Sequence, residues 1–121
     1  MADEPTAGAT LSALHYLFTH SGKKIVAHCL ELDIVTSGPN VEQAEESLNT
    51  LVLYQISSCF VSGNFGQLSF KAPIEYWRLH RSAKPLPGAA ELQVEIPPMV
   101  LPVSRSFGLP VYRAEMAAAA A

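Results

Sequence analysis

Charge is scarce in this chain, and so are cysteines and long apolar runs. Of 121 residues 16% are charged, with a formal balance of −3. Holding nucleic acid by charge takes many cations facing phosphates, so this balance argues against that class. The densest basic group, Arg78, His80, Arg81 and Lys84, reads as a solvated helix end. Cys29 and Cys59 stand alone in separate apolar stretches, which excludes a paired-cysteine zinc or redox motif. They read as small buried hydrophobes in a reducing compartment. No apolar run approaches the ~18 residues that cross a bilayer. The opening MADEPTAGAT is acidic and lacks the apolar centre of a secretory leader. The expected setting is therefore the cytoplasm, without a membrane partner. A glycine-rich phosphate loop and a nucleophile elbow are both missing, and no cofactor is implied.

What the chain has in quantity is apolar residues, 49% of the total, enough for one domain around a single core. The most informative stretch is Ile25–Asn49, IVAHCLELDIVTSGPNVEQAEESLN, which has almost no slack between elements. Upstream, Leu11–Phe18 has strand propensity in Tyr16 and Phe18. Ser21-Gly22 follows as a hairpin corner, because glycine accepts positive φ. Lys23–Cys29 is the returning strand. Both of its alternating sets are largely apolar, Ile25, Ala27 and Cys29 against Val26 and Leu30, so it is covered on both faces. One face suits a helix; the other needs a second layer or a second subunit. Ile34–Ser37 is a short third strand that stops at Gly38-Pro39.

Asn40 is placed to cap the helix that follows. Its side-chain oxygen accepts from a free backbone N–H, and Gln43 completes a capping-box pattern. Glu42, Glu45 and Glu46 set negative charge near the positive helix end. The helix is predicted over Val41–Phe60. Val41, Ala44, Leu48, Leu51, Val52 and Cys59 form its apolar stripe, with Glu42, Glu46, Asn49, Thr50 and Ser57 opposite. Three residues break the register. Gln55 falls inside the stripe, while Leu53 and Phe60 fall on the polar side, either exposed or covered by another segment or a partner.

Ser62-Gly63-Asn64-Phe65-Gly66 ends the helix. Pro73 suits the first turn of a short helix over Ile74–Ala83, closed by Pro85, with Ile74, Trp77 and the Arg81 stem on one face. Downstream, Pro85, Pro87, Pro97, Pro98, Pro102 and Pro110 crowd the chain. Leu92–Ile96 alternates as a strand, and Leu109–Ala114 is another. Prolines at this density belong on sheet edges or extended arms and exclude a central strand. Residues 1–10 read as a flexible tail and 11–84 as the main domain. Residues 85–116 read as a proline-rich arm with edge strands, in the same domain or at a dimer interface, and 117–121 as a disordered tail. The fold class is α+β: a small antiparallel sheet in β-β-β-α-β order, one long helix on one face, and the C-terminal arm.

His28, Cys29, Glu31 and Asp33 are the densest reactive cluster. In one continuous strand Cys29, Glu31 and Asp33 share a face and His28 takes the other, so His28 and Cys29 diverge. Glu31 and Asp33 could hold Mg²⁺ together through oxygen, though hydrolytic two-metal sites use more carboxylates from separate elements. The competing reading is a corner whose Glu31 and Asp33 bond the local backbone. His15, His20 and His80 have no ligand spacing, which argues against a metal site. Trp77, with Tyr76 beside it, is a core or interface anchor before it is an aromatic platform.

Val26–Val35, VAHCLELDIV, then Ser37-Gly38, Glu42-Gln43-Ala44 and Leu48, resembles the HicB-like antitoxin superfamily. That pattern is a strand ending near Cys or Pro, an acidic corner, a short strand ending in Gly, and a helix opening on a Glu-Glu-Ala-like triplet. It covers residues 11–60, and Ala72–Trp77, APIEYW, is similar to stand-alone members. The resemblance implies a truncated ribonuclease-H-like layer of three antiparallel strands, a helix across one face and a further strand. It also implies dimerisation and, in toxin–antitoxin members, capture of a small toxin ribonuclease. Two departures are visible: the C-terminal third has no two-helix DNA-reading unit, and the acidic set of a ribonuclease-H-like active site is missing.

The leading expectation is thus a non-enzymatic protein-binding module, an orphan antitoxin-like protein that needs no metal or cofactor. It would form a homodimer through the sheet layer, with a small toxin-like protein as a further candidate partner and no nucleic acid. Leu53, Phe60, Tyr76, Trp77 and the arm are the expected contact surface; Gly22, Gly38, Asn40 and Gln43 are the expected structural residues. The alternative is a metal-assisted nuclease or other hydrolase using Glu31 and Asp33. A third reading is a structural domain with a small-molecule pocket between sheet and arm.

Overall fold

The structure, a computed structural model, describes residues 12–63, 71–96 and 105–116. It begins with a meander: β1 (Leu14–Ser21), β2 (Lys24–Cys29) and β3 (Ile34–Gly38). β1 and β2 pair antiparallel from Tyr16↔Cys29 to Ser21↔Lys24, and Gly22 closes the hairpin at φ 63. A turn at Leu30–Asp33 joins β2 to β3, with Asp33 in the left-handed region at φ 52. Aspartate tolerates that conformation better than most side chains.

Asn40 caps α1 (Val41–Ser62) as its sequence predicts: its Oδ1 accepts the Gln43 backbone N–H at 2.8 Å. Such a cap stabilises by about 1 kcal/mol. Gly38 is structural for a different reason from Gly22. A Cβ there would lie 2.7 Å from the Ala44 backbone nitrogen, so the end of β3 meets the start of α1 only without a side chain. At the other end Gly63, φ 74, donates its N–H to the Cys59 carbonyl.

Ala44, Leu48, Val52, Ile56 and Cys59 are the buried stripe of α1. Leu51, placed in that stripe by the sequence, is exposed, and Ile56 takes the inner position. The helix is apolar on both sides over this length, so periodicity alone misjudges its inner edge. Leu53 and Phe60 are half-buried against the same core, Phe60 edge-on to Phe107.

The rest of the chain completes the sheet. α2 (Ile74–Ser82) is followed by β4 (Lys84–Pro85), β5 (Ala90–Ile96) and β6 (Arg105–Glu115). The sheet has six strands in the order β3-β2-β1-β6-β4, with β5 also on β6. All pairings are antiparallel except β1 with β6, which run parallel from Leu14↔Val111 to Phe18↔Glu115. β6 is therefore central, which corrects the expectation that its prolines confine it to an edge. Pro110 pairs with Glu91 of β5 and lies one residue before β1 joins at Val111, so its missing donor falls short of the β1 ladder. Pro97, Pro98, Pro102 and both expected tails lie outside the described residues. Among the described residues no helix is long and apolar enough to cross a membrane.

The sheet buries side chains on both faces. Under α1 lies the main core, including Leu14, Tyr16, Phe18, Ala27, Leu48, Ile56, Val94 and Val111. Tyr16 donates its hydroxyl hydrogen to Asn49 Oδ1 at 2.7 Å, which satisfies the one polar atom it brings there. Under α2 lies a smaller cluster of Leu17, Leu30, Ala72 and Trp77. Of the second side-chain set of β2, Leu30 just past its end is buried in this cluster and His28 meets Tyr76 of α2, while Val26 stays half-buried.

Candidate functional site

The α2 face carries the polar side chains that the main core lacks. The turn after β2 is held against β1 by the Leu30 N–H, which donates to the His15 carbonyl at 2.9 Å. This swings Glu31 beneath β1, where it is 5% exposed. Its Oε1 accepts the His15 backbone N–H at 2.7 Å, and its Oε2 accepts from His15 Nδ1 at 2.5 Å. A buried carboxylate is costly unless its lone pairs are met, and His15 meets both oxygens. With Nδ1 carrying the donated proton, Nε2 is the imidazole atom left to a ligand.

The His15 ring lies among three others: Trp77 at 5.3 Å between centroids, His80 at 5.2 Å and Tyr112 at 5.2 Å. Trp77 is fixed by its indole N–H, which donates to the Ala72 carbonyl at 3.1 Å. His80 is fixed by a gap in the sheet. β5 pairs with β6 up to Val111 and β4 only from Ala114, so neither strand reaches Tyr112 and Arg113. His80 Nε2 donates to the Tyr112 carbonyl at 2.9 Å, and the Leu86 N–H to the Arg113 carbonyl at 3.0 Å, filling the gap. Burial pushes the His80 pKa below its usual value, and the charge of a protonated His15 adds to that. Backbone hydrogen bonds with Tyr112 and Tyr16 and the Glu31 charge oppose it.

A groove of about 620 Å³ opens over this gap, between β6 and the β4–β5 connection. His15, Trp77, His80 and Tyr112 form one side, with Arg81 and Arg113 among the remaining lining residues. Among the described residues the lining holds no carboxylate, serine, threonine or cysteine. Arg113 donates through Nη1 to Glu45 at 3.1 Å and through Nη2 to the Pro87 carbonyl at 2.8 Å. Its buried Nε–H has no acceptor among the described residues. The groove therefore offers flat rings, cationic donors and one imidazole nitrogen.

The reactive cluster seen in sequence is divided by the turn. Asp33 Oδ1 accepts from His28 Nε2 at 2.6 Å, and the buried His28 ring meets Tyr76 edge-on at 4.8 Å. Glu31 and Asp33 are thus engaged by two different histidines. His28 meets Asp33 because β2 ends at Cys29 and the strand alternation lapses. The Cys29 thiol is pushed up to about 12, first by burial and then by the Glu31 charge, so it stays protonated. Among the described residues no three His, Cys, Asp or Glu side chains gather as a metal site.

Of the expected contact residues, Tyr76 is exposed, Leu53 and Phe60 are half-buried in the chain's own core, and Trp77 is buried beside the groove. Trp77 therefore acts inside the molecule, not on its contact surface. Sequence reasoning missed His15, His80 and Tyr112 as a group. Their only local signal is that His15 and Leu17 share a strand face; the rest depends on β6 lying beside β1. Comparison with protein-family models, curated proteins and solved structures finds no match.

Proposed function

We propose that the protein is a non-enzymatic protein-binding module that pairs with a second copy of itself along the outer face of α1. One observation carries this reading. From Ser47 to Ser62 the helix contains no charged residue, yet Tyr54 is 76% exposed, Val61 56% and Leu51 43%. Their spacing puts Tyr54 and Val61 on the side turned away from the sheet, with Leu51 on the flank between them and the buried stripe. A solvated helix face normally carries charge, and a helix apolar on both sides is normally buried on both. Ser57 and Ser58, between the exposed hydrophobes, allow close approach of another helix. Glu42, Glu45 and Glu46 sit at the N-terminal end only, so an antiparallel pair keeps the two acidic ends apart.

The HicB-like resemblance supplies the second partner, a small toxin-like protein. The three-strand meander, the helix across one face and the further strand beside β1 support that layer. The exposed carboxylates of Glu42 and Glu46 favour a basic partner.

Light scattering on a size-exclusion column tests the pairing. At micromolar protein the wild type runs as a dimer, and Tyr54→Lys runs as a monomer with an unchanged circular dichroism spectrum. A monomeric wild type ends the self-association claim. A pull-down from the native host that recovers no small basic ribonuclease counts against the antitoxin-like role.

A further inference from the structure

Among the described residues no part of α1 lines the groove over the β4–β5 gap, so the groove has no part in that pairing. We propose that it binds a neutral, flat aromatic ring bearing a hydroxyl, which donates its hydrogen to His15 Nε2. The volume, about 620 Å³, falls within the range of small-molecule pockets, roughly 300–1,000 Å³. Flat rings line one side: His15, Trp77, His80 and Tyr112, the last 55% exposed and available for stacking. Planar ligands gain most from such walls.

A fixed lone pair selects the polar group of the ligand. Glu31 takes the Nδ1 hydrogen of His15 from beneath β1, so in the neutral ring the open lone pair is on Nε2. A carboxylate at Nδ1 also raises the basicity of the far nitrogen, which makes it a stronger acceptor. The His15 side chain is 22% exposed and lines the groove. Its Nε2 is neither bonded to a described residue nor sealed from solvent, so a ligand in the groove can reach it. The neighbouring rings do not compete for the ligand hydroxyl. Trp77 gives its indole N–H to the Ala72 carbonyl, and His80 is held by the Tyr112 and Tyr16 backbone. Neither arginine of the lining is needed for the contact with His15. An ether or a carboxylate sets oxygen lone pairs against Nε2. An aromatic hydroxyl brings the ring that suits the walls and the donor that suits the nitrogen.

The chain has a single tryptophan, so it gives one indole N–H resonance, reporting from beside the groove. The full chain is titrated at about pH 8, above the usual imidazole range, with three probes on the same ring: 2-naphthol, 2-methoxynaphthalene and naphthalene-2-carboxylate. The expected result is a saturable indole shift with naphthol, binding about fivefold tighter than the methyl ether, as one hydrogen bond supplies. The ether is the more apolar of the two, so burial alone would give the reverse order. In the wild type the nitrogen-15 signal of His15 Nε2 should move with naphthol and stay in place with the ether. Glu31→Gln admits the tautomer with hydrogen on Nε2, so the naphthol preference should fall toward equality. Tyr112→Ala, at an exposed side chain, should weaken naphthol and ether alike. Ether bound as tightly as naphthol, tightest binding of the carboxylate, an Nε2 signal that naphthol leaves in place, a preference that survives Glu31→Gln, or no saturable shift with any probe overturns the proposal.

Discussion

On the α1 side of the sheet, the alternate residues of β1 and β2 are Leu14, Tyr16, Phe18, Ile25, Ala27 and Cys29, all buried against Ala44, Leu48, Val52 and Ile56. On the α2 side, the same strands present His15 and His28 beside Leu17, and α2 adds His80 beside Trp77. The two faces solve different problems. Apolar packing is non-directional and rewards area, so the first face can set the fold without exact partners. The second face must match every donor to an acceptor, because a buried polar group left unpaired costs about 1–3 kcal/mol. It does so through Glu31–His15, Asp33–His28 and His80–Tyr112. Stability comes mainly from one face, and the groove with its directional groups sits on the other.

The largest expected effect tests that division. Leu48→Ala in the main core should cost about 3 kcal/mol, since α1 and the sheet are both long and cannot close over the gap. Leu17→Ala in the smaller cluster should cost about 2 kcal/mol, because the shorter α2 can settle inward. Urea denaturation of both variants measures the difference. Equal losses, or a larger loss at Leu17, break the claim that the α1 face dominates.

Next in size is the clamp. Glu31→Gln keeps an acceptor for the His15 backbone but loses the charge-assisted bond to Nδ1. The expected loss is about 2 kcal/mol, as for hydrogen bonds to charged groups. Nitrogen-15 spectra of the imidazole should then show His15 as a mixture of tautomers instead of one. Asp33→Asn offers the contrast: Asp33 is largely solvated, so that loss stays under about 1 kcal/mol. A Glu31 variant as mild as the Asp33 variant would show that the clamp is not what organises the α2 face.

The two faces also differ in how much of them the sequence discloses. Asn40, Gly38 and the α1 stripe act within a few residues of themselves, so cap, corner and helix follow from local rules. The hairpin at Gly22 is legible for the same reason. The groove is not, because it is assembled by the parallel pairing of Leu14 with Val111, which only long-range topology fixes. Pro110 conceals that pairing further, since a proline in a strand argues for an edge. The outward Leu51 and inward Ile56 mark another limit: where both sides of a helix are apolar, the periodicity does not say which side meets the sheet.

The smallest expected effect is a dependence on pH that belongs to the α2 face alone. His80 is held neutral in the folded state, with burial the largest cause and the facing groups His15, Glu31 and the Tyr112 carbonyl adjusting it. Its folded pKa is lowered, so the unfolded chain takes the proton first as pH falls below about 6.5. Stability from this group is complete above that value and is lost as pH falls toward the folded pKa. His80→Gln keeps a donor within reach of the Tyr112 carbonyl and removes the titration. Denaturation midpoints taken from pH 7.5 to pH 5 should fall more steeply for the wild type than for this variant. Leu48→Ala should shift the whole curve without changing its slope, since it removes area and no proton. If His80→Gln keeps the wild-type slope, or Leu48→Ala flattens it, acid sensitivity is not confined to the face that carries the paired polar groups.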